Sequence, residues 1–113
     1  MYTKIPPEEV RTVVRKPIFK PCSVIAVEGT LKGWRPGAFE EVYVQLRFNG
    51  AVTPLPLCIG HESFWKDEGF AIRLCPFPFD KEGELLLAVI NQTKLEIDVR
   101  CGLIMGDYVT GIQ

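Results

Sequence analysis

The stretch EVYVQLRFNG, residues 41–50, decides the fold class of this chain. Apolar and polar side chains alternate along it with a period of two, the period at which side chains of a β-strand point to opposite faces. The stretch closes on Asn49-Gly50, a dipeptide typical of the two-residue turn of a β-hairpin. It therefore predicts a half-buried strand that ends in a turn and directs four apolar side chains toward a core: Val42, Val44, Leu46 and Phe48.

The same rhythm recurs along most of the chain. GFAIRLC, residues 69–75, alternates in the same way and predicts a second half-buried strand. CSVIAVEGTL, residues 22–31, is apolar at both sets of alternating positions, as expected for a strand buried beneath a second layer. Prolines and glycines interrupt these runs about every ten residues, and short strands at that spacing predict an antiparallel sandwich or barrel.

Residues 83–100, GELLLAVINQTKLEIDVR, contain two further strand patterns. The polar run Asn-Gln-Thr-Lys, residues 91–94, predicts the turn between them, so we expect a hairpin with about four loop residues. The first three residues of that run also match an N-glycosylation acceptor, which a turn explains fully. The side chains expected to face inward are Leu85, Leu87 and Val89 on the first strand and Leu95, Ile97 and Val99 on the second.

Two segments are expected at the margins of the fold. Pro54 and Pro56 cannot donate backbone hydrogen bonds, so VTPLPLC, residues 52–58, is predicted to be an edge strand or a strand whose prolines face away from the hydrogen-bonded neighbour. RTVVRK, residues 11–16, is the first predicted strand, and residues 1–9 are expected to be flexible or irregular. The 113 residues suffice for one hydrophobic core, so the whole chain is expected to be a single domain.

Composition argues against several functional classes. Thirteen basic residues balance fourteen acidic ones without a basic stripe, so no nucleic-acid partner is expected. No apolar run approaches the ~18 residues of a spanning helix, and residues 1–12 lack the apolar core of a secretory signal, so no membrane partner is expected. We predict a cytoplasmic protein, with the nucleus and unconventional secretion as alternatives.

Titratable groups give no sign of catalysis or of a metal site. Four widely spaced cysteines form no CxxC pair and accompany a single histidine, so no metal or cofactor is expected. The cysteines are predicted to be reduced and buried, with a disulfide as the alternative. His61 and its polar neighbours are adjacent in one predicted loop, where side chains diverge, and no nucleophile elbow is present. We predict no catalytic residues, and therefore a protein that is not an enzyme.

Three segments resemble one known family in their order and spacing. SVIAVEGTL followed by VYVQLRFNG, within residues 23–50, resembles its early strand pair, and FPFDKEGELLLAVINQTKLEIDVR, residues 77–100, resembles a later pair. GLIMGDYVTGIQ, residues 102–113, resembles the final strand, with Gly106-Asp107 as the break before it. The family is the galectins, and the likeness is closest to nematode members. It implies an all-β fold: a shortened galectin-like jelly-roll β-sandwich of two antiparallel sheets.

The chain departs from the galectin pattern where that family binds sugar. The H-x-N-x-R signature corresponds to LCIGHESF, where Cys58, Gly60 and Glu62 occupy the three ligand positions. The W-G-x-E-x-R loop has no counterpart, because CPFPF follows the FAIRL strand at once. Sugar hydroxyls would lose their hydrogen-bond partners without those groups. The resemblance therefore implies that β-galactoside binding has been lost.

We predict a non-catalytic galectin-like binding module that mediates protein–protein interaction or self-association as a homodimer. Shortened loops would leave a flatter surface over one sheet, better suited to a protein than to a small sugar. One alternative is a lectin with an altered site that binds a glycan. Another is an inactive dUTPase-like β domain, whose paired strands residues 83–109 loosely resemble. The predicted surface residues are Tyr43, Gln45, Arg47 and Arg73, and those of the altered lectin site are His61, Glu62, Trp65 and Arg73.

Overall fold

The computed structural model of the chain describes residues 2–33, 40–58, 65, 66 and 69–108, with side chains described for all of these except 53–58, 65, 66 and 75–77. These residues form nine strands: β1 (Thr3–Ile5), β2 (Glu9–Ile18), β3 (Cys22–Leu31), β4 (Val42–Phe48), β5 (Ala51–Cys58), β6 (Trp65–Lys66), β7 (Gly69–Phe79), β8 (Gly83–Asn91) and β9 (Ile97–Asp107). Within these ranges there is no helix that is long and apolar enough to cross a bilayer.

The strands form two antiparallel sheets, one of five strands in the order β1-β9-β3-β7-β6 and one of four in the order β2-β8-β4-β5. The pairing is that of one long hairpin rolled up on itself. From its tip, β4 pairs with β5, β3 with β7, β2 with β8 and β1 with β9, and rolling adds the β3–β9 and β4–β8 pairs. This nested order is that of a jelly roll. The predicted all-β sandwich of two antiparallel sheets is confirmed.

The tip of the long hairpin is the predicted Asn49-Gly50 turn. Both residues have positive φ, 50° and 83°, and Phe48 pairs with Ala51 across them. Two positive φ angles in a two-residue loop match the twist of the flanking strands, which is why this dipeptide favours such hairpins. As predicted from its prolines, β5 lies at an edge of the four-stranded sheet.

The connection between β8 and β9 is not the hairpin that the sequence predicted. β8 belongs to the four-stranded sheet and β9 to the five-stranded one, so residues 92–96 carry the chain across the sandwich. Leu95, expected to face inward, lies in this connection and is 49% exposed. The predicted pairing of two successive strands was therefore wrong, although both strands exist.

The side chain of Asn91 explains why the chain crosses at this point. It is fully buried, and its Nδ2 donates to the carbonyl oxygens of Ile5 at 3.1 Å, Pro6 at 3.1 Å and Leu95 at 2.7 Å. Its Oδ1 accepts from the backbone N–H of Thr93 at 3.0 Å and from the Thr93 hydroxyl at 2.6 Å. Because these partners come from within the connection, from β1 and from the residue after β1, the amide fixes the crossing to the N-terminal strand.

The two ends of the chain pair with each other in the five-stranded sheet. Thr3–Ile5 pairs with the start of β9, and Ile5 is fully buried, so residues 3–5 are a strand where an irregular segment was expected. β9 runs without a break from Ile97 to Asp107. The predicted final strand beyond Gly106-Asp107 falls on residues 109–113, outside the described residues.

The core lies between the sheets and is built by the inward residues of the alternating strands. Phe48 and Phe79 face each other across it with ring centroids 4.9 Å apart. Burying one such large apolar side chain stabilises a fold by about 1.5–3 kcal/mol. The fully buried large side chains are Ile5, Leu31, Leu46, Leu85, Leu87, Ile97, Val24, Val27, Val42, Val44 and Val89.

Candidate functional site

Three of the predicted surface residues lie together on the outer face of the four-stranded sheet. Tyr43, Gln45 and Arg47 alternate along β4 with buried core residues and are themselves half-buried. The guanidinium of Arg47 donates from Nε and Nη2 to Oε1 of Gln45, at 3.1 Å each. The two polar side chains therefore hold each other flat against the sheet.

Arg73 does not belong to this surface. It lies on β7 of the five-stranded sheet, opposite Ala26 and next to buried Ile72, so its exposed side chain points out of the other side of the sandwich. The prediction that Arg73 shares one surface with Tyr43, Gln45 and Arg47 was therefore wrong. A period of two shows which residues of a strand share a face, but it does not show which sheet the strand joins.

The remaining predicted residues belong to the altered lectin site. His61 and Glu62 lie outside the described residues. Trp65 is in the two-residue strand β6, where its backbone pairs with Phe70 at the edge of the five-stranded sheet. The backbone of Trp65 is thus in the same sheet as Arg73.

The outer face around Tyr43 continues across β8 and β2 as an apolar surface. Residues directly opposite each other on paired antiparallel strands share a face. Ile90 is opposite both Val10 and Tyr43, and Ala88 is opposite both Thr12 and Gln45. We call this surface the outer apolar face; its members are Val10, Thr12, Arg15, Tyr43, Gln45, Arg47, Val52, Leu86, Ala88 and Ile90.

Sequence reasoning missed the β8 members of the outer apolar face. In a sheet with one solvated face, the outward positions of a strand are normally polar. Residues 85–90, LLLAVI, are instead apolar at both alternating sets of positions, a signal that was available in the sequence. Leu86 and Ile90 are half-buried and Val10 is 42% exposed, and no strand of the described part of the chain lies over them.

Charge on the outer apolar face is sparse. Arg15 and Glu84 form an ion pair of 3.2 Å at one end of it. Among the residues whose side chains are described, no ion pair includes Arg47. The face therefore combines aliphatic side chains, one tyrosine and one guanidinium without a carboxylate partner.

The outer face of the five-stranded sheet differs, because it contains a groove of about 640 Å³. Glu28 is opposite Gly102 on one side and Ala71 on the other, so its side chain stands between two small residues. In the next row Thr30 is opposite Arg100 and Gly69. The groove is lined by Glu28, Gly29, Thr30, Gly69, Phe70, Ala71, Arg100, Cys101 and Gly102.

An aromatic ring with two cations lies beside the groove. The hydroxyl of Thr30 donates to the Tyr2 hydroxyl at 2.9 Å. The ammonium of Lys32 lies 4.6 Å from the centre of the Tyr2 ring, and the guanidinium carbon of Arg100 lies 5.3 Å from it. Both distances are within the range of a cation–π interaction. The groove thus offers hydroxyl, carboxylate and guanidinium groups beside an aromatic ring.

The groove provides hydrogen-bonding groups but no activated nucleophile. Burial raises the pKa of the Cys101 thiol from 9.0 to about 12, so this cysteine stays protonated at neutral pH. Gly29 permits the close approach of β3 and β9, because a Cβ there would meet the carbonyl oxygen of Arg100 and lie 2.9 Å from the Phe70 ring. Among the described side chains, no group of three His, Cys, Asp or Glu residues could hold a metal ion.

The outer apolar face and the groove each offer a surface for binding. They lie on opposite sides of the sandwich. One consists mainly of aliphatic side chains, and the other adds hydroxyl, carboxylate and guanidinium groups to a largely apolar lining. Comparison with known proteins finds no family model, curated protein or solved structure that matches this chain, so its likeness to the galectins stays a prediction.

Proposed function

We propose that this chain is a non-catalytic binding module that holds a protein, either a second copy of itself or a different chain, on the outer apolar face. The supporting observation is the outward row of β8, in which half-buried Leu86 and Ile90 lie on either side of the fully buried Ala88. The row continues into Val10 and Tyr43 on the neighbouring strands. Removing such hydrocarbon from water is favourable by about 25 cal/mol for each Å². A partner that covers the row gains this energy.

The composition of the face favours a protein over a small polar ligand. Protein interfaces have an apolar centre and are enriched in tyrosine and arginine, and Tyr43 and Arg47 both flank the β8 row. Arg47 is held by Gln45 and can form a bidentate pair with a carboxylate of the partner. This ion pair would fix the orientation of the partner, because apolar contacts alone are not directional.

The proposal is tested by placing a charge on the face. Ile90→Glu introduces a carboxylate into the β8 row, and Leu95→Glu, in the connection between the sheets, is the matched control because Leu95 is 49% exposed. Light scattering after size exclusion measures self-association, and a pull-down from native extract measures binding of other proteins. Ile90→Glu is expected to abolish association through the outer apolar face, while Leu95→Glu preserves it. A strictly monomeric native chain that retains no protein would overturn the proposal.

A second candidate function is glycan binding in the groove by a lectin with an altered site. The groups of Glu28, Thr30 and Arg100 can bond sugar hydroxyls, and the Tyr2 ring lies beside them. A glycan array and a sugar-induced rise in Tm test this function. Arg100→Ala should lower any such binding while Arg15→Ala, at the other sheet, leaves it unchanged. Flat results on the array would eliminate this candidate.

A further inference from the structure

Within the described residues, strand β9 is paired along almost the whole of one edge but along only part of the other. On one side β3 accompanies it from Asp107 back to Val99. On the other side β1 pairs with it only over Ile97–Val99. Within the ranges that the structure describes, no strand pairs with the rest of that edge, residues 100–107. Such an edge presents backbone N–H and C=O groups with which another extended chain can pair.

The free edge of β2 carries features that discourage such pairing, and the free part of β9 lacks them. β2 has an irregularity between Thr12 and Val14 and contains Pro17, which cannot donate a backbone hydrogen bond. Residues 101–106 of β9, CGLIMG, include no charge and no proline. Natural sheets usually protect their edges by bulges, prolines or charges. The unprotected part of β9 therefore suits a partner strand.

A cleft of about 450 Å³ opens beside the end of this edge. Ile18 and Met105 contribute apolar groups from the two sheets, and Phe19 beside them is 76% exposed. A cavity of this size and character accepts an apolar side chain. The cleft is lined by Lys16, Pro17, Ile18, Phe19, Lys20, Cys22, Met105, Gly106 and Asp107.

The charges of the cleft favour an acidic ligand. Lys16 and Lys20 are both exposed, and neither takes part in an ion pair with any residue whose side chain is described. Asp107 is the one acidic residue of the lining and lies at the end of β9. Complementary charge steers a ligand and fixes its register. An acidic group is thus favoured near the lysines and disfavoured near Asp107, which gives the ligand a direction.

We propose that the free edge of β9 and this cleft together bind an acidic, extended peptide segment of a partner protein by strand addition. Backbone hydrogen bonds to residues 100–107 supply the affinity, and the cleft takes an apolar side chain of the peptide. Lys16 and Lys20 pair with its acidic residues. The site is separate from the outer apolar face, so it stands whether or not that face binds a protein.

The probe is a labelled, capped peptide of about ten residues with alternating valine and aspartate, a length that spans one strand. Its binding to the full chain is measured by fluorescence anisotropy at low salt. The corresponding valine and lysine peptide tests the role of charge. In two further peptides every second amide is N-methylated, so that one peptide has all the amides of one strand edge blocked and the other has those of the opposite edge blocked. Strand addition needs the amides of only one edge.

The matched protein variants differ only in where charge is reversed. Lys16→Glu with Lys20→Glu alters the cleft. Lys32→Glu with Lys94→Glu alters two exposed lysines at the other end of the sandwich by the same net charge. All four side chains are exposed, so both variants are expected to keep the native Tm. The cleft variant should bind the valine and aspartate peptide at least about tenfold more weakly than the native chain. The control variant should bind it less than about threefold more weakly.

Cys22 supplies an independent readout because it lines the cleft and is half-buried. The acidic peptide should slow alkylation of Cys22, followed by mass spectrometry, whereas the lysine peptide should not. One N-methylated peptide should bind and the other should not. The proposal is overturned if the acidic peptide fails to bind at millimolar concentration, if the lysine peptide binds equally well, or if both N-methylated peptides behave alike.

Discussion

Two asparagines end neighbouring strands of the four-stranded sheet, and the chain leaves them in different ways. Asn49 follows β4, has a φ of 50° and starts a two-residue hairpin at the surface. Asn91 ends β8, is fully buried and starts a connection to the opposite sheet. An asparagine at or just after the end of a strand therefore starts a hairpin or a crossing, depending on what its side chain can reach.

The hydrogen bonds of the two residues explain the difference. The Asn49 Oδ1 accepts one bond, from the backbone N–H of Glu84 at 2.9 Å. The Asn91 amide instead bonds to the carbonyls of Ile5 and Pro6, which are far away in sequence, and to both Thr93 donors. A buried polar group left without partners costs about 1–3 kcal/mol. The crossing therefore depends on its asparagine more strongly than the hairpin does.

Asn91→Ala tests most directly whether the crossing depends on its asparagine more than the hairpin does. We expect a loss of about 3–5 kcal/mol in the free energy of unfolding, because several buried carbonyl and N–H groups lose their partner at once. Urea denaturation measures it. Asn49→Ala is the matched control and should cost about 1 kcal/mol, since it removes one exposed hydrogen bond. Equal costs at the two positions would show that the buried network contributes nothing special.

Thr93→Val tests whether the Asn91 network extends to its neighbour. The hydroxyl donates to Asn91 and accepts from the backbone N–H of Leu95 at 3.1 Å, and valine preserves the shape while removing both bonds. We expect a loss of about 2 kcal/mol in the same measurement. In the Asn91→Ala background, Thr93→Val should lower the free energy of unfolding by less than it does in the native chain. If the two losses were strictly additive, the residues would not share a network.

Gly83→Ala tests how the hairpin tip is joined to β8. A Cβ at position 83 would meet the side chain of Asn49, so the substitution displaces that side chain from Glu84. We expect a cost of about 1–2 kcal/mol. In the Asn49→Ala background the cost should fall to about 0.5 kcal/mol or less, because the obstructing atoms are gone. An unchanged cost would mean that another contact at Gly83 dominates.

Gly50→Ala is the mildest change and acts on the backbone alone. A Cβ at Gly50 meets no neighbouring atom, but its φ of 83° is rarely adopted by other residues. We expect a cost of about 1 kcal/mol from this conformation. Gly102→Ala is the control, because a Cβ there reaches only ordinary van der Waals contact, 4.0 Å from Glu28 Cγ, and it should be close to neutral. A neutral Gly50→Ala would argue against the two-residue turn.

The sequence predicted the parts of this fold that depend on neighbouring residues. Alternation in residues 42–48 identified the inward side of β4, Asn49-Gly50 identified its turn, and Pro54 and Pro56 identified the edge strand. These features follow from the pleat of a strand and the φ preferences of single residues. Such local rules do not depend on where the rest of the chain lies.

Features that depend on distant residues could not be predicted in this way. The crossing at Asn91 depends on carbonyls of Ile5 and Pro6, and nothing in residues 83–100 reveals them. The prediction of the surface residues failed in part for the same reason, because it also depended on which strands pair. Tyr43, Gln45 and Arg47 share a face because they share a strand, whereas Arg73 was assigned to that face without knowledge of its sheet.

The rolled hairpin also implies an order of events during folding. Phe48 and Ala51 at its tip are almost adjacent in sequence, whereas Thr3 and Val99 at its other end are separated by nearly the whole chain. Closing a loop costs more entropy as it lengthens, and folds dominated by distant pairings form slowly. The hairpin is therefore expected to zip from the tip, and the Asn91 network, which needs β1 in place, forms late. Its loss should accelerate unfolding while leaving the rate of folding almost unchanged.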